Sequence, residues 1–149
     1  MLAPRFDILY AADFQWWEHY ETQWSQCEGV MRYTCNSRAA NRFGAVHVPI
    51  VVKEGLSDDG LSSGNNSGHQ AVSLAYLLGA SEIYLIGFDM MSDESGLKHF
   101  FGDHIGGGLD NPTDDRFRRW RASMNEMIRL IRMQGVVVKN LTQDSALSI

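Results

Sequence analysis

Residues 63–89 place a loop, a helix and a strand in immediate succession, and this order limits the fold more than any other feature of the chain. Small polar residues open an apolar helical segment at residues 67–78, and Gly79 follows that segment. Residues 83–88 are almost continuously apolar and run into Asp89, which is the pattern of a central strand covered on both faces. This succession predicts an α/β fold with a parallel sheet.

The start of this predicted helix has the chemistry of an anion site. The first N–H groups of a helix lack intrahelical partners and lie at the positive end of its dipole, and a loop of Gly, Asn and Ser lets an anion approach the backbone closely. We therefore expect a phosphate group to bind at Asn65, Asn66, Ser67 and Gly68. His69 lies in the first turn, where it either contacts the ligand or is solvated.

The rest of the chain continues the alternation of strands and helices. Further strands are predicted at residues 6–12, 29–35, 46–52 and 136–140, and Pro49 makes the third of these an edge or irregular strand. Further helices are predicted at residues 14–26, at residues 37–43 with Ser37 as the cap, and from residue 114 to Gly135. We predict one domain over residues 1–149, a Rossmann-like three-layer sandwich with a mainly parallel sheet. Because the chain begins almost directly with the strand at Phe6, we expect this domain to lack the usual first strand and its Gly-rich turn.

Polar residues follow the predicted strands. In parallel sheets, ligands bind beyond the carboxyl ends of the strands, so residues at these ends are expected to face one rim. These residues are Asp13, Asn36, the 65–67 loop, Asp89 and Asn140.

Residues 89–113 form a second long irregular segment, and long loops are more often functional than idle. It contains His99 and His104, either of which can take a proton from an acceptor hydroxyl at neutral pH. Asp89 is expected to orient a histidine or bind a ribose hydroxyl, or else to cap the strand end. Lys98 either neutralises a phosphate or is solvated.

A metal site is a further alternative for this segment. Carboxylates and imidazoles are ligands of divalent cations, and Mg²⁺ bridging phosphates would suit phosphoryl chemistry. The spacing matches no diagnostic metal motif, so a site without metal and a Mg²⁺ site both stay open. The residues concerned are Asp89, His99, Asp103 and His104.

Composition excludes several classes of protein. A net charge of −5 argues against a nucleic-acid surface, and the basic cluster at residues 116–121 is interpreted as a solvated helix face. No apolar run approaches the roughly 20 residues that span a bilayer, so no membrane partner is expected. The start of the chain lacks the pattern of a secretory signal, which predicts a cytoplasmic location. Cys27 and Cys35 are expected to be reduced thiols, because they form no C-x-x-C metal motif and disulfides are rare in cytoplasmic proteins.

The Ser67-Gly68 turn, Gly79 and the strand ending in Gly87-Phe88-Asp89 resemble a superfamily of small α/β proteins. It includes the bacterial CMP-sialic-acid-dependent sialyltransferases, the motility-accessory-factor glycosyltransferases and the archaeal pterin diphosphokinase-like proteins, and the chain looks most like short phage- or prophage-encoded members. The resemblance implies a glycosyltransferase-like enzyme that binds a nucleotide or nucleotide sugar, with Ser67 and Gly68 on its phosphate or sugar and His99 or His104 as base. For a phage-encoded protein, the compartment is the host cytoplasm.

Two other functions stay open under the same resemblance. Met91 stands near the position where the transferases carry a tyrosine thought to assist the leaving phosphate. One alternative is Mg²⁺-dependent pyrophosphoryl transfer of the pterin diphosphokinase type. The other is a non-catalytic phage binding or assembly module, which would form a homo-oligomer through an exposed sheet edge.

Overall fold

Every strand pair in the described part of the chain is parallel. The computed structural model describes residues 6–98, 102, 109 and 111–149, and in them the chain forms five helices and seven short strands. The strands pair into one three-stranded and two two-stranded sheets. The predicted α/β class with parallel strands is confirmed, whereas a continuous sheet inside a three-layer sandwich stays a prediction.

The described residues form two compact units, which divide the chain after Pro49. The amino-terminal unit holds residues 6–49 together with Leu109, and the carboxyl-terminal unit holds residues 50–98, 102 and 111–149. Both cysteines belong to the amino-terminal unit, and neither forms a disulfide. No helix among the described residues is long and apolar enough to cross a bilayer.

The amino-terminal unit packs aromatic helices on its three-stranded sheet. Its elements are β1 (Ile8–Tyr10), α1 (Phe14–His19), α2 (Glu21–Trp24), β2 (Met31–Thr34), α3 (Ser37–Phe43) and β3 (Val46–His47). Trp17 is fully buried, and its indole N–H donates to the Ala11 carbonyl at 3.0 Å. The Trp24 indole N–H in turn donates to the Trp17 carbonyl at 2.8 Å. Because a buried indole requires an acceptor, these two bonds fix how α1 and α2 lie in the core.

Three sequence predictions for residues 14–52 are wrong in detail. The single helix predicted for residues 14–26 is two helices that meet at Tyr20. Asn36, rather than Ser37, caps α3, since its Oδ1 accepts from the Ala39 N–H at 3.0 Å. The strand predicted for residues 46–52 is broken at Pro49, which has no N–H to donate to a neighbouring strand.

The carboxyl-terminal unit holds both two-stranded sheets. Its elements are β4 (Ile50–Val52), β5 (Leu61–Ser62), α4 (Ser67–Leu77), β6 (Glu82–Leu85), α5 (Asp114–Met133) and β7 (Val137–Asn140). β5 lies inside residues 53–66, a polar, glycine-rich segment that the sequence predicts as a long loop. β6 pairs with β7, and along β6 buried and exposed residues alternate. The expectation that this strand is covered on both faces is therefore wrong.

The long helix α5 supplies more buried residues to the core cluster of this unit than any other element does. Met124, Met127, Ile128 and Ile131 are fully buried on one face of the helix, as the apolar spacing predicted. They pack in one cluster with residues of α4, β6 and β7. α5 is thereby fixed against the elements that carry the candidate site.

We expect Met124→Ala to lower the free energy of unfolding by about 2 to 5 kcal/mol, because it removes buried contacts and leaves a cavity. Met133→Ala, in the same helix, is the matched control: Met133 is 68% exposed and Met124 is 0% exposed. For this control, a change within about 0.5 kcal/mol is expected. Urea unfolding followed by circular dichroism measures both, and equal effects would contradict the assignment of the core.

Candidate functional site

The amino-terminal end of α4 is built as the sequence predicted. Asn66 is its N-cap, with extended backbone, and its Oδ1 accepts from the His69 N–H at 3.0 Å. The N–H groups of Ser67 and Gly68, the first two residues of the helix, have no acceptor among the described residues. These donors and the positive end of the helix dipole are the elements of an anion site.

This end of α4 lines a cavity of about 230 Å³, which we call the helix-start cavity. It brings together four residues that the sequence nominated from separate segments: Asn66, Gly68, Asp89 and Lys98. The other lining residues are Gly87, Phe88, Met90, Met91, Pro112, Phe117 and Trp120. A Cβ atom on Gly68 would lie 2.9 Å from the Asn66 Oδ1 and 3.1 Å from the Phe88 ring, so this approach requires glycine.

The loop after β6, which carries Asp89, is held by the end of the chain. The Phe88 N–H donates to the Thr142 hydroxyl at 2.9 Å, and the Ser145 hydroxyl donates to the Phe88 carbonyl at 2.6 Å. The Asp89 carbonyl accepts from the Ala146 N–H at 2.9 Å, while the residue itself stays exposed. The backbone of the cavity wall is therefore bonded in place, and the carboxylate faces water.

Two further contacts define this region. The Arg121 guanidinium donates to the carbonyl of Met90, a buried residue with a positive φ of 55°, at 3.1 Å. Asn140 was predicted at the rim, and its side-chain oxygen accepts from the Thr142 N–H at 3.0 Å. Asn140 thus stabilises the turn after β7.

Lys98 is placed by a small polar network. Its ammonium group donates to the Ser92 hydroxyl at 2.9 Å and lies 3.5 Å from Asp114, whose side chain is 84% exposed. The Asp93 side chain accepts hydrogen bonds from Ser95 and from the Leu97 N–H, which hold its pKa below the ordinary value and shape the turn before Lys98. An ammonium group bonded to one hydroxyl and one exposed carboxylate has donor capacity left for an anion.

His69 lies in the interior rather than at the ligand surface. It is 1% exposed, and its Nε2 lies 3.0 Å from the Ser62 hydroxyl, while its Nδ1 lies 3.4 Å from the Ser123 hydroxyl. Burial lowers the pKa of His69 to about 4. The ring is thus neutral at pH 7, and it links β5, α4 and α5. His69 is absent from the residues that line the helix-start cavity.

Gly64 allows the backbone to approach this ring. It has a φ of +50°, and a Cβ at this position would lie 2.2 Å from the Cγ of His69. Asn65, the next residue, also has a positive φ of 50°. The turn before α4 therefore combines left-handed backbone with close packing on a buried side chain.

A second cavity of the same unit, about 740 Å³ and called here the large cavity, was not predicted from the sequence. Asn65, one of the predicted phosphate ligands, lines it. The other lining residues are Lys53, Glu54, Gly55, Gly64, Arg116, Arg119, Trp120, Ala122, Ser123 and Glu126. The spacing of residues 116, 119, 120 and 123 places them on one helix face. Because the arginines were interpreted as a solvated face, this spacing was not used to predict a cavity.

Two of the other predicted residues that the structure describes, Asp13 and Asn36, line neither cavity. Asp13 follows β1, and Asn36, at the end of the neighbouring parallel strand β2, uses its amide oxygen as a helix cap. A cavity of about 590 Å³ in the amino-terminal unit is lined by residues of α1 and α3, and neither Asp13 nor Asn36 is among them. His99, Asp103 and His104 lie outside the described residues. Among the residues that are described, no group of three or more His, Cys, Asp or Glu side chains could hold a metal ion.

No protein-family model, curated protein or solved structure matches the chain. The resemblance to the sialyltransferase-like superfamily therefore stays a prediction. A functional assignment has to rest on the geometry of the two cavities.

We expect Gly64→Ala to destabilise the protein by about 1 to 3 kcal/mol more than Gly79→Ala does. Both glycines have a positive φ, so both substitutions carry the same kind of backbone strain. Gly79 faces open space, whereas the new methyl group at Gly64 would overlap the His69 ring. Urea unfolding compares the two, and equal losses would show that close packing at Gly64 contributes nothing.

The low pKa of His69 predicts a pH dependence of stability. The unfolded chain binds a proton near pH 6.5, whereas the folded protein does so only near pH 4. Stability is therefore complete above pH 6.5 and falls as the pH drops towards 4, by about 3 kcal/mol at most. Urea unfolding at pH 7 and pH 4.5 measures this loss, which should be smaller in His69→Gln. If that variant does not fold, NMR titration of the wild-type imidazole should show a neutral ring at pH 5.5, and a protonated ring there would contradict the prediction.

Proposed function

We propose that the protein is a glycosyltransferase-like enzyme that binds the phosphate of a nucleotide or nucleotide sugar in the helix-start cavity. The observation that carries this proposal is the convergence of Asn66, Gly68, Asp89 and Lys98 on one cavity. Asn66 and Gly68 belong to the start of α4, whereas Asp89 and Lys98 belong to the segment after β6, so their meeting is a property of the tertiary structure. The fold that accompanies this function is the Rossmann-like sandwich predicted from the sequence.

The chemistry of the cavity favours an anion. The N–H groups of Ser67 and Gly68 have no acceptor among the described residues, and Gly68 and Lys98 both line the cavity. Helix N-termini bind phosphate through such backbone donors, and a lysine adds a positive charge. Asp89 would repel a phosphate placed against it. A ribose or sugar hydroxyl is therefore the group that we assign to this carboxylate, because carboxylates accept hydrogen bonds from hydroxyls.

The size of the cavity limits what it holds. Sites for drug-sized ligands measure about 300 to 1,000 Å³, and this cavity measures about 230 Å³. We therefore assign to it the phosphate and the sugar directly attached to it, with the rest of the donor outside.

The proposed reaction needs a base for the acceptor hydroxyl. The base takes the hydroxyl proton, the acceptor oxygen forms a bond to the sugar carbon, and the bond from that carbon to the phosphate oxygen breaks. We assign the base to His99 or His104 and its orientation to Asp89, as predicted from the sequence. Charge develops on the departing phosphate, where Lys98 and the start of α4 would stabilise it.

Calorimetry with CMP and with pyrophosphate, each with and without Mg²⁺, tests this site. Loss of one charge-assisted hydrogen bond is worth roughly 10- to 100-fold in affinity, so Lys98→Gln should weaken binding by about that factor. Lys139→Gln is the control, since Lys139 lies over the Tyr84 ring and lines neither cavity. Absence of binding to wild-type protein, or unchanged binding to Lys98→Gln, would contradict the proposal. Binding of pyrophosphate only with Mg²⁺ would instead favour pyrophosphoryl transfer.

A further inference from the structure

We infer that the large cavity is a second ligand site, for a small anionic molecule that carries a planar ring. Apart from Trp120, its lining residues differ from those of the helix-start cavity. The two sites can therefore be altered one at a time. The inference goes beyond the proposed function and stands on separate residues.

The charge of the lining favours an anion. Three basic residues, Lys53, Arg116 and Arg119, line the cavity with two acidic ones, Glu54 and Glu126. The Glu126 carboxylate is bonded by both Nη2 and Nε of Arg129, at 2.7 and 2.8 Å, so a neighbouring arginine outside the lining already compensates its charge. The lining is thus net basic in a chain with a net charge of −5. A concentration of positive charge against the overall sign attracts an anionic ligand to this place.

Trp120 supplies a surface for a planar ring. It is half-buried, and its indole meets the buried Phe117 ring edge-on, at 5.8 Å between centroids and 90° between planes. It also packs against the core cluster of the unit. An indole fixed from one side and open to a cavity on another stacks well on aromatic or heteroaromatic rings.

The walls of the cavity are held by hydrogen bonds from the interior. The Gly64 N–H donates to the Lys53 carbonyl at 3.0 Å, which joins the two loops that face α5. On the helix side, the Ser123 hydroxyl contacts the buried ring of His69. Asn65 stands in the left-handed region without being a glycine, and such positions persist where the surrounding structure enforces them, often at ligand sites.

The volume is consistent with a ligand of this class. At about 740 Å³, the cavity lies within the range of small-molecule sites and accommodates a ring together with a phosphate or carboxylate. A mononucleotide combines both groups, so AMP is a suitable probe. Adenosine and ribose 5-phosphate carry the ring and the anion separately.

Calorimetry with these three probes tests the inference, and it is done in Lys98→Gln protein because the proposed function places a nucleotide phosphate at Lys98. This substitution leaves the large cavity unaltered, since Lys98 does not line it. Adding Arg119→Gln should weaken AMP binding by about 10-fold or more, because it removes a charge from the lining. Adding Arg118→Gln is the matched control: it makes the same change in the same helix, at a residue that pairs with Asp115 and does not line the cavity. We expect this control to bind AMP as Lys98→Gln protein does.

The probes should also differ among themselves. Adenosine and ribose 5-phosphate should each bind at least about 10-fold more weakly than AMP, since each lacks one of the two contacts. AMP and adenosine should quench the fluorescence of Trp120. Trp120→Phe should remove this quenching, because Trp16, Trp17 and Trp24 are not among the residues that line the cavity.

Loss of AMP binding on adding Arg119→Gln, but not on adding Arg118→Gln, would support the inference. It is overturned if Lys98→Gln protein does not bind AMP, if adding Arg119→Gln leaves AMP binding unchanged, or if either half-probe binds as tightly as AMP. AMP binding by wild-type protein that is absent from Lys98→Gln protein would show that AMP requires the helix-start cavity. That result would favour the proposed function and overturn a separate second site.

Discussion

The buried ring of His69 is the contact on which the architecture of the carboxyl-terminal unit depends. It bonds to Ser62 of β5 and Ser123 of α5 while its own residue lies in the first turn of α4, so one imidazole joins three elements. Burial keeps the ring neutral, which removes the cost of an unpaired charge in the interior. Gly64 completes the arrangement because only a residue without a Cβ fits against the ring. The turn between β5 and α4 is shaped by this packing.

The same turn contributes walls to both cavities. Gly64 and Asn65 face the large cavity, and Asn66 and Gly68 face the helix-start cavity. Trp120 of α5 is common to the two. A rigid turn between two cavities is a reasonable base for binding two ligands, since loops held by buried contacts lose little entropy when a ligand binds. In a transferase these ligands would be a donor and an acceptor.

Several features of this unit were predicted from the sequence, and the predictions that were wrong have physical explanations. The apolar face of α5 and the start of α4 at Ser67 were predicted because helical spacing and the small polar residues that open a helix are local sequence signals. The apolar run at residues 83–88 gave the wrong prediction of a strand covered on both faces. Tyr84 and Ile86 are exposed, because composition does not say which face of a strand is covered. The arginines of α5 were interpreted as a solvated face because a local pattern does not show which distant residues lie near them. Lys53, which lines the same cavity, is distant in the chain.

By itself, the sequence determined the parallel α/β character and the bounds of α3, α4 and α5 to within a residue or two, which depend on neighbours along the chain. Tertiary structure alone decided the role of each polar residue. His69 and Asn66 are three positions apart, yet His69 is buried against Ser62 of β5 and Ser123 of α5, whereas Asn66 faces a cavity. It also brought Asp89 and Lys98 to the start of α4. Burial and convergence arise from contacts between distant segments, and no local pattern encodes them.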